Sequence, residues 1–147
     1  MRVELNDVEK KILEELRRNS KQTYKELSRK LGLAIGTIHN KIKKLERKGV
    51  ILNYTVNIDY SKAGYDLTGI IMIKVEGPFI IEVEKKLAEF EEIMSVYDIT
   101  GEFDIAVIAK FKDREHLNRV IKKILSMPHI ERTNTSIVLS IVKENFI

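Results

Sequence analysis

The sequence contains no cysteine, which excludes disulfides, cysteine-ligated zinc, iron–sulfur clusters and thiol nucleophiles. No apolar run approaches the roughly 18–20 residues that a membrane span requires. The start, MRVELNDVEKK, alternates charged and apolar residues without the apolar stretch of a signal peptide, so a cytoplasmic location is expected. Its three histidines, His39, His116 and His129, lie far apart, with no second histidine or carboxylate at ligand spacing, so no metal site is expected and each reads as a surface or packing residue. No glycine-rich phosphate loop or nucleophile elbow occurs, and no cofactor is expected.

What is present divides unevenly along 147 residues, a length for one medium domain or two small ones. Apolar residues at 44% suffice for a packed core, and 33% charged residues keep the surface solvated. Residues 1–50 hold 14 Lys and Arg against seven Asp and Glu, whereas residues 51–147 hold 12 against 15. A basic front half joined to a mildly acidic back half points to two modules with different partners.

The front half reads as three helices. Asn6 caps the first, with Glu9 as its capping-box partner, and Val8, Ile12 and Leu16 form a buried stripe edged by Leu13. Thr23-Tyr24-Lys25-Glu26 opens a second, short helix carried by Leu27 and Leu31, and Gly32 ends it. After only Leu33 and Ala34, a third runs from Ile35 to about Lys48, closed by Gly49. Two short helices joined by a tight turn, the second basic, make a helix-turn-helix over about 24–43.

A helical wheel sorts the third helix. Ile38, Ile42 and Leu45 are buried, with Ile35 near the edge; Gly36, Asn40, Lys43 and Arg47 lie opposite, flanked by Thr37, His39, Lys41 and Lys44. Thr37 and Asn40 suit base edges, Asn having the geometry for adenine. Gly36 removes bulk where the helix enters a groove. Lys43, Lys44 and Arg47 suit phosphates, and His39 can serve either role. Basic helical faces are also common as merely solvated surfaces; the capped preceding helix and the tight turn favour DNA.

From Val50 the period changes to two, giving a hinge strand within 50–66 that ends in a capped turn at 59–64. Beyond it come a strand at Leu67–Val75 and a helix from Pro78 to Phe90 that buries Ile80, Val83, Leu87 and Phe90. Strands at Ile93–Thr100 and Asp104–Phe111 follow. Asp113 caps a helix with Leu117, Val120, Ile121, Ile124 and Leu125 on one face, and a last strand covers about Thr133–Val142. The expected fold class is therefore α+β: a winged-helix-like helix-turn-helix domain over 1–66 and a ferredoxin-like βαββαβ domain over 67–147. Helices cover only one face of such a sheet, so apolar residues on the other call for self-association.

The chain resembles the Lrp/AsnC, or feast/famine, family of transcriptional regulators. The resemblance rests on Leu5-Asn6-Asp7-Val8-Glu9-Lys10-Lys11-Ile12-Leu13, on Glu26 to Leu33, on Thr37 to Ile51 with Tyr54-Thr55, and on the turn Thr100-Gly101-Glu102-Phe103-Asp104. It implies a sequence-specific DNA-binding regulator, not an enzyme, that forms homodimers often assembled into tetramers or octamers. It also implies an amino acid or related metabolite held beside Thr100, Gly101, Glu102, Phe103 and Asp104, with Asn118, Lys122, Thr133 and Thr135 lining the same cleft. Lys122 disfavours a cationic effector. The implied partners are double-stranded DNA, further copies of the chain, the effector and the basal transcription machinery.

Two departures and two alternatives accompany this reading. The third helix begins at Ala34-Ile35, where many members have a serine, so its cap is missing at a cost of about 1 kcal/mol. The turn at Gly101 is equally readable as purely structural. Some sirohaem decarboxylases share the architecture, but the retained basic helix argues against an enzyme; a protein-binding sensor with vestigial DNA binding is the other alternative. The Lys-, Glu- and Ile-rich composition, with one glutamine, points to a thermophilic archaeal source.

Overall fold

The helices begin where the sequence supplies, or fails to supply, a cap. The computed structural model of the chain describes residues 3–144, so the last three residues of the expected second domain lie outside the described residues. α1 (Asp7–Arg18) starts with a reciprocal box: the Glu9 amide donates to Asn6 Oδ1 at 2.9 Å, and the Asn6 amide donates to Glu9 Oε2 at 3.1 Å. α2 (Tyr24–Leu31) repeats this with Thr23 and Glu26 and ends on Gly32 at φ 66°, a left-handed position. α3 (Ile35–Arg47) has Ala34 at its N-cap and no side-chain cap bond. Ile12, Leu27, Ile38, Ile42 and Leu45 form the core of this unit, and Val8, Leu13, Leu16, Leu31, Val50 and Ile51 pack around it.

The described chain separates into two compact units that part between Asn57 and Ile58. Among the described residues, the expected hinge strand is not seen: segment 51–58 joins no ladder with another strand, and Leu52 is 86% exposed. The turn at 59–64 does form: the Lys62 amide donates to Asp59 Oδ1, and Gly64 adopts φ 88°.

The second unit is a four-stranded antiparallel sheet ordered β2-β3-β1-β4, built from β1 (Leu67–Val75), β2 (Ile93–Asp98), β3 (Ile105–Phe111) and β4 (Ile130–Ile137). The connections are a short 3-10 turn with α4 (Ile80–Leu87), and α5 (Arg114–Leu125), which give βαββαβ. Ile71, Ile73, Val75, Ile105, Val107, Ala109 and Phe111 face Val83, Leu87, Val120 and Ile124 of the helices.

Expectations at element ends are corrected, first the helix expected from Pro78 to Phe90, which is helical only over Ile80–Leu87 after a 3-10 turn at Gly77–Phe79. β2 stops at Asp98 and β3 starts at Ile105, because residues 99–104 turn the chain. β4 starts earlier than expected and stops at Ile137: it pairs with β1 from Val75↔Ile130 to Gly69↔Ile137, and β1 begins only two residues before Gly69, leaving little ladder for Leu139 and beyond. Leu125 is exposed rather than buried, since Val120 and Ile124 occupy the sheet-facing stripe.

The other sheet face carries Thr68, Ile70, Met72, Ala106 and Ile108, with Lys110 at one end. Lys110 is 1% exposed; its Nζ donates to Thr68 Oγ1 at 3.0 Å and to both Glu144 oxygens at 2.6 and 2.8 Å, and it lies 5.2 Å from the Tyr60 ring centre. A buried ammonium is tolerable only with such a set of partners.

Candidate nucleic-acid interface

The geometry of the basic helix follows from what fixes its other faces. Ser28 Oγ donates to the Leu33 carbonyl and the Leu33 amide donates to the Ser28 carbonyl at 3.2 Å, so the turn between α2 and α3 is closed on itself. Ile38, Ile42 and Leu45 anchor α3 in the core. Gly36, Thr37, His39, Asn40, Lys43 and Arg47 are consequently exposed together along one side. A Cβ at Gly36 would meet nothing within 4 Å, so the protein itself does not require glycine there. His39 stacks edge-on against Tyr24 at 5.4 Å, and its Nδ1 lies 3.4 Å from Asn40 Oδ1.

The cations of α3 differ in how they are held. Lys43 Nζ donates to Glu46 Oε2 at 2.8 Å, and Tyr54 Oη donates to the other oxygen of the same carboxylate at 2.8 Å. The Lys43 and Tyr54 hydrogen bonds lower the Glu46 carboxyl, while burial and then Glu46 push the Tyr54 phenol up to about 12. Arg47 makes no ion pair among the described residues. Lys44 points the other way: its Nζ donates to Glu9 Oε1 at 2.9 Å, with Lys41 Nζ 3.7 Å from the same oxygen. Glu9 is 2% exposed, and the Lys44 hydrogen bond, followed by that from the Asn6 amide, outweighs burial and holds its carboxyl at about 2. The sequence reading placed Glu9 only in a capping box. Its position three and four residues before Ile12 and Leu13, on the packed side of α1, was the available signal.

The nine residues expected around an effector lie on the turn 99–104, on α5 and on β4. Gly101 sits at φ 121°, Thr100 and Glu102 are exposed, and Glu102 Oε1 accepts from Arg132 Nη2 at 2.5 Å. The Arg132 guanidinium lies 4.9 Å from the Phe103 ring centre. Asp104 accepts from the Val75 amide at 2.9 Å and from Lys74 at 3.1 Å, so it ties the turn to β1. Asn118 and Lys122 are exposed on α5, and Thr133 and Thr135 are half-buried opposite Ile73 and Ile71. Among the described residues, no hydrogen bond joins these four to the turn; Thr135 Oγ1 is buried with no partner. An open groove of about 530 Å³ between Lys86, Phe90, Glu92, Lys123 and Met127 includes none of the nine. Arg132 is a residue at the turn that the sequence reading missed.

The other two histidines also have structural contacts. His116 Nδ1 accepts from the Lys112 amide, leaving Nε2–H for Glu92 at 2.9 Å, and His129 stacks on Phe79. No cluster of three metal-ligating side chains occurs among the described residues, nor a helix long and apolar enough to cross a membrane.

Comparison with known proteins places both units. A family model described as the Lrp/AsnC ligand binding domain matches residues 68–147, and one described as winged helix-turn-helix DNA-binding matches residues 5–51. An uncharacterised HTH-type transcriptional regulator of Pyrococcus furiosus is 49% identical over 144 residues, which is 98% of this chain and 97% of that protein. The structure of E. coli AsnC is similar with a TM-score of 0.89 at 26% identity, over 99% of each chain. A transcriptional regulator of Neisseria meningitidis, solved as an L-Met complex, shares the fold with a TM-score of 0.90 at 24% identity, over 97% of this chain and 95% of that one. The chain therefore belongs to the Lrp/AsnC family and is a DNA-binding transcriptional regulator, not an enzyme.

Proposed function

We propose that the exposed side of α3 enters the major groove, with Thr37 and Asn40 at base edges, Lys43 and Arg47 at phosphates, and His39 at the border between them. The observation that carries this is the joint exposure of Gly36, Thr37, Asn40, Lys43 and Arg47 on a helix whose opposite stripe is fully buried. The Lys43–Glu46 pair does not oppose it, because both side chains are partly exposed and an exposed ion pair exchanges readily for a phosphate. Self-association of the sheet unit supplies two such helices, about one DNA turn or roughly 34 Å apart, which read a pseudo-palindrome. Dimers, and tetramers or octamers built from them, are the assemblies proposed.

The turn 100–104, with Arg132, is the proposed place for an amino-acid-like effector. A zwitterion needs one cation and one anion, and Arg132 and Glu102 offer both at an exposed site. The L-Met complex of the Neisseria relative supports that class of ligand. Bound beside a promoter, the protein meets the basal transcription machinery, and operator position decides between activation and repression.

The test is equilibrium binding to duplexes selected from genomic fragments, with and without a panel of amino acids. Asn40→Ala should relax base preference at one position by about 1–3 kcal/mol, whereas Lys43→Ala should weaken all sequences alike and reduce the salt slope by about 1. Binding unchanged in both variants would remove α3 from the interface.

A further inference from the structure

We propose that Glu9 is the positioning residue of the recognition helix, and that Lys44 with Lys41 serves this internal bridge rather than the DNA. The inference rests on the reading that the exposed side of α3 contacts DNA, and it changes which cations do so.

Both Glu9 oxygens are committed. Oε2 accepts the Asn6 amide at 3.1 Å and so completes the N-cap of α1, while Oε1 accepts Lys44 at 2.9 Å with Lys41 at 3.7 Å. The Glu9 side chain is 3% exposed, against 27% for Glu46, the partner of Lys43. That difference decides the roles of two adjacent lysines. When Lys43 leaves Glu46 for a phosphate, water rehydrates the carboxylate at small cost. When Lys44 leaves Glu9, a buried carboxylate loses its principal cation, and a hydrated, screened phosphate does not compensate. Lys44 therefore stays on Glu9 when DNA binds.

The bridge has a directional consequence. Ile38, Ile42 and Leu45 hold α3 against the core through non-directional contacts, which tolerate some rotation about the helix axis. A charged hydrogen bond from α1 to the third turn of α3 does not. One carboxylate thus fixes the start of α1 and the rotation of α3, and with it the direction in which Asn40 and Thr37 project. Loss of the bridge should cost discrimination between sequences rather than phosphate contacts.

The experiment uses the full chain with two probes: a 30-base-pair duplex enriched by the wild-type protein from a random library, and a random-sequence duplex of equal length. Lys44→Gln should leave the slope of log K against log salt on the random duplex unchanged. It should weaken the enriched duplex at least tenfold, and Glu9→Gln should do the same. The double variant should be no worse than the poorer single one, because both remove one bridge. Arg47→Ala, the control, should lower the slope by about 0.9. Glu9→Asp guards against misfolding: it keeps the charge but withdraws it from Lys44, and should reduce the enriched-to-random ratio with helicity retained. A slope reduced by about 0.9 in Lys44→Gln, with both duplexes weakened alike, would make Lys44 a phosphate contact and overturn the proposal; an unaltered ratio in Glu9→Asp would also overturn it. An unaltered slope in Arg47→Ala would instead sink the DNA-facing assignment beneath it.

Discussion

Glu9 shows how one side chain can carry terms that oppose each other. Burial alone would raise its carboxyl, yet the Lys44 hydrogen bond, the Asn6 amide and the nearby charges of Lys44 and Lys41 hold it at about 2, below its ordinary 4.5. A carboxyl depressed in the folded state contributes stability that is fully present above about pH 4.5 and lost as pH falls through about 2. The expected outcome is a melting-temperature gap between wild type and Glu9→Gln that is constant near neutral pH. The gap should shrink steadily between pH 4.5 and 2, followed by circular dichroism at 222 nm. A gap independent of pH would mean that Glu9 acts through shape and not charge. Asp104 is lowered as well, chiefly by the Val75 amide, and titrates alike in both proteins, so the comparison cancels its contribution.

At the scale of the element, the three N-terminal helices form a natural comparison. α1 and α2 each begin with a reciprocal capping box, while α3 begins at Ala34, extended at φ −62° and ψ 144° but without an oxygen to offer. Ala34→Ser places a hydroxyl where it can accept from the Thr37 amide, with no change of backbone. It should stabilise the first unit by about 1 kcal/mol, seen as a rise of a few degrees in its melting temperature. No rise would mean that the N-terminal amides of α3 already have another acceptor. The same local logic explains what was legible. Caps, glycine stops and the stripes of α1 to α3 follow from neighbours three or four positions apart, and Leu67–Val75 is apolar apart from Thr68 and Lys74, which suits a central strand. Features set by distant partners were not legible. Segment 51–58 alternates like a strand but joins no ladder among the described residues, and β4 takes its end from where β1 begins. The Glu9–Lys44 bridge spans 35 residues and the Lys110–Glu144 pair 34. For α3, the wheel found the exposed side correctly but could not tell that flanking Lys44 reaches to Glu9. Only the position of α1 decides that.

Across the whole molecule, the sheet face away from the helices remains to be accounted for. Ile70 is 41% exposed on a central strand, with Met72, Ala106 and Ile108 half-buried beside it, and Leu139 is 99% exposed on the segment after β4. A central strand should not show an isoleucine to water unless something covers it, and a two-fold interface buries every such residue twice. Ile70→Asp should therefore abolish self-association while leaving the helix-side core and the Lys110–Glu144 pair in place. Sedimentation should then return the mass of a single 17.1 kDa chain, with unchanged far-ultraviolet dichroism. The DNA consequence follows from geometry. A single chain presents one α3 and binds a half-site without the effective concentration that tethering gives the second, so affinity for a full pseudo-palindrome should fall by 10²-fold or more, at about the order expected for lost bivalency. If Ile70→Asp kept its oligomeric mass, the sheet face would not be the interface. If it became monomeric yet bound the full site undiminished, recognition would need only one helix, and the paired reading of DNA would fail while the single-helix assignment stood.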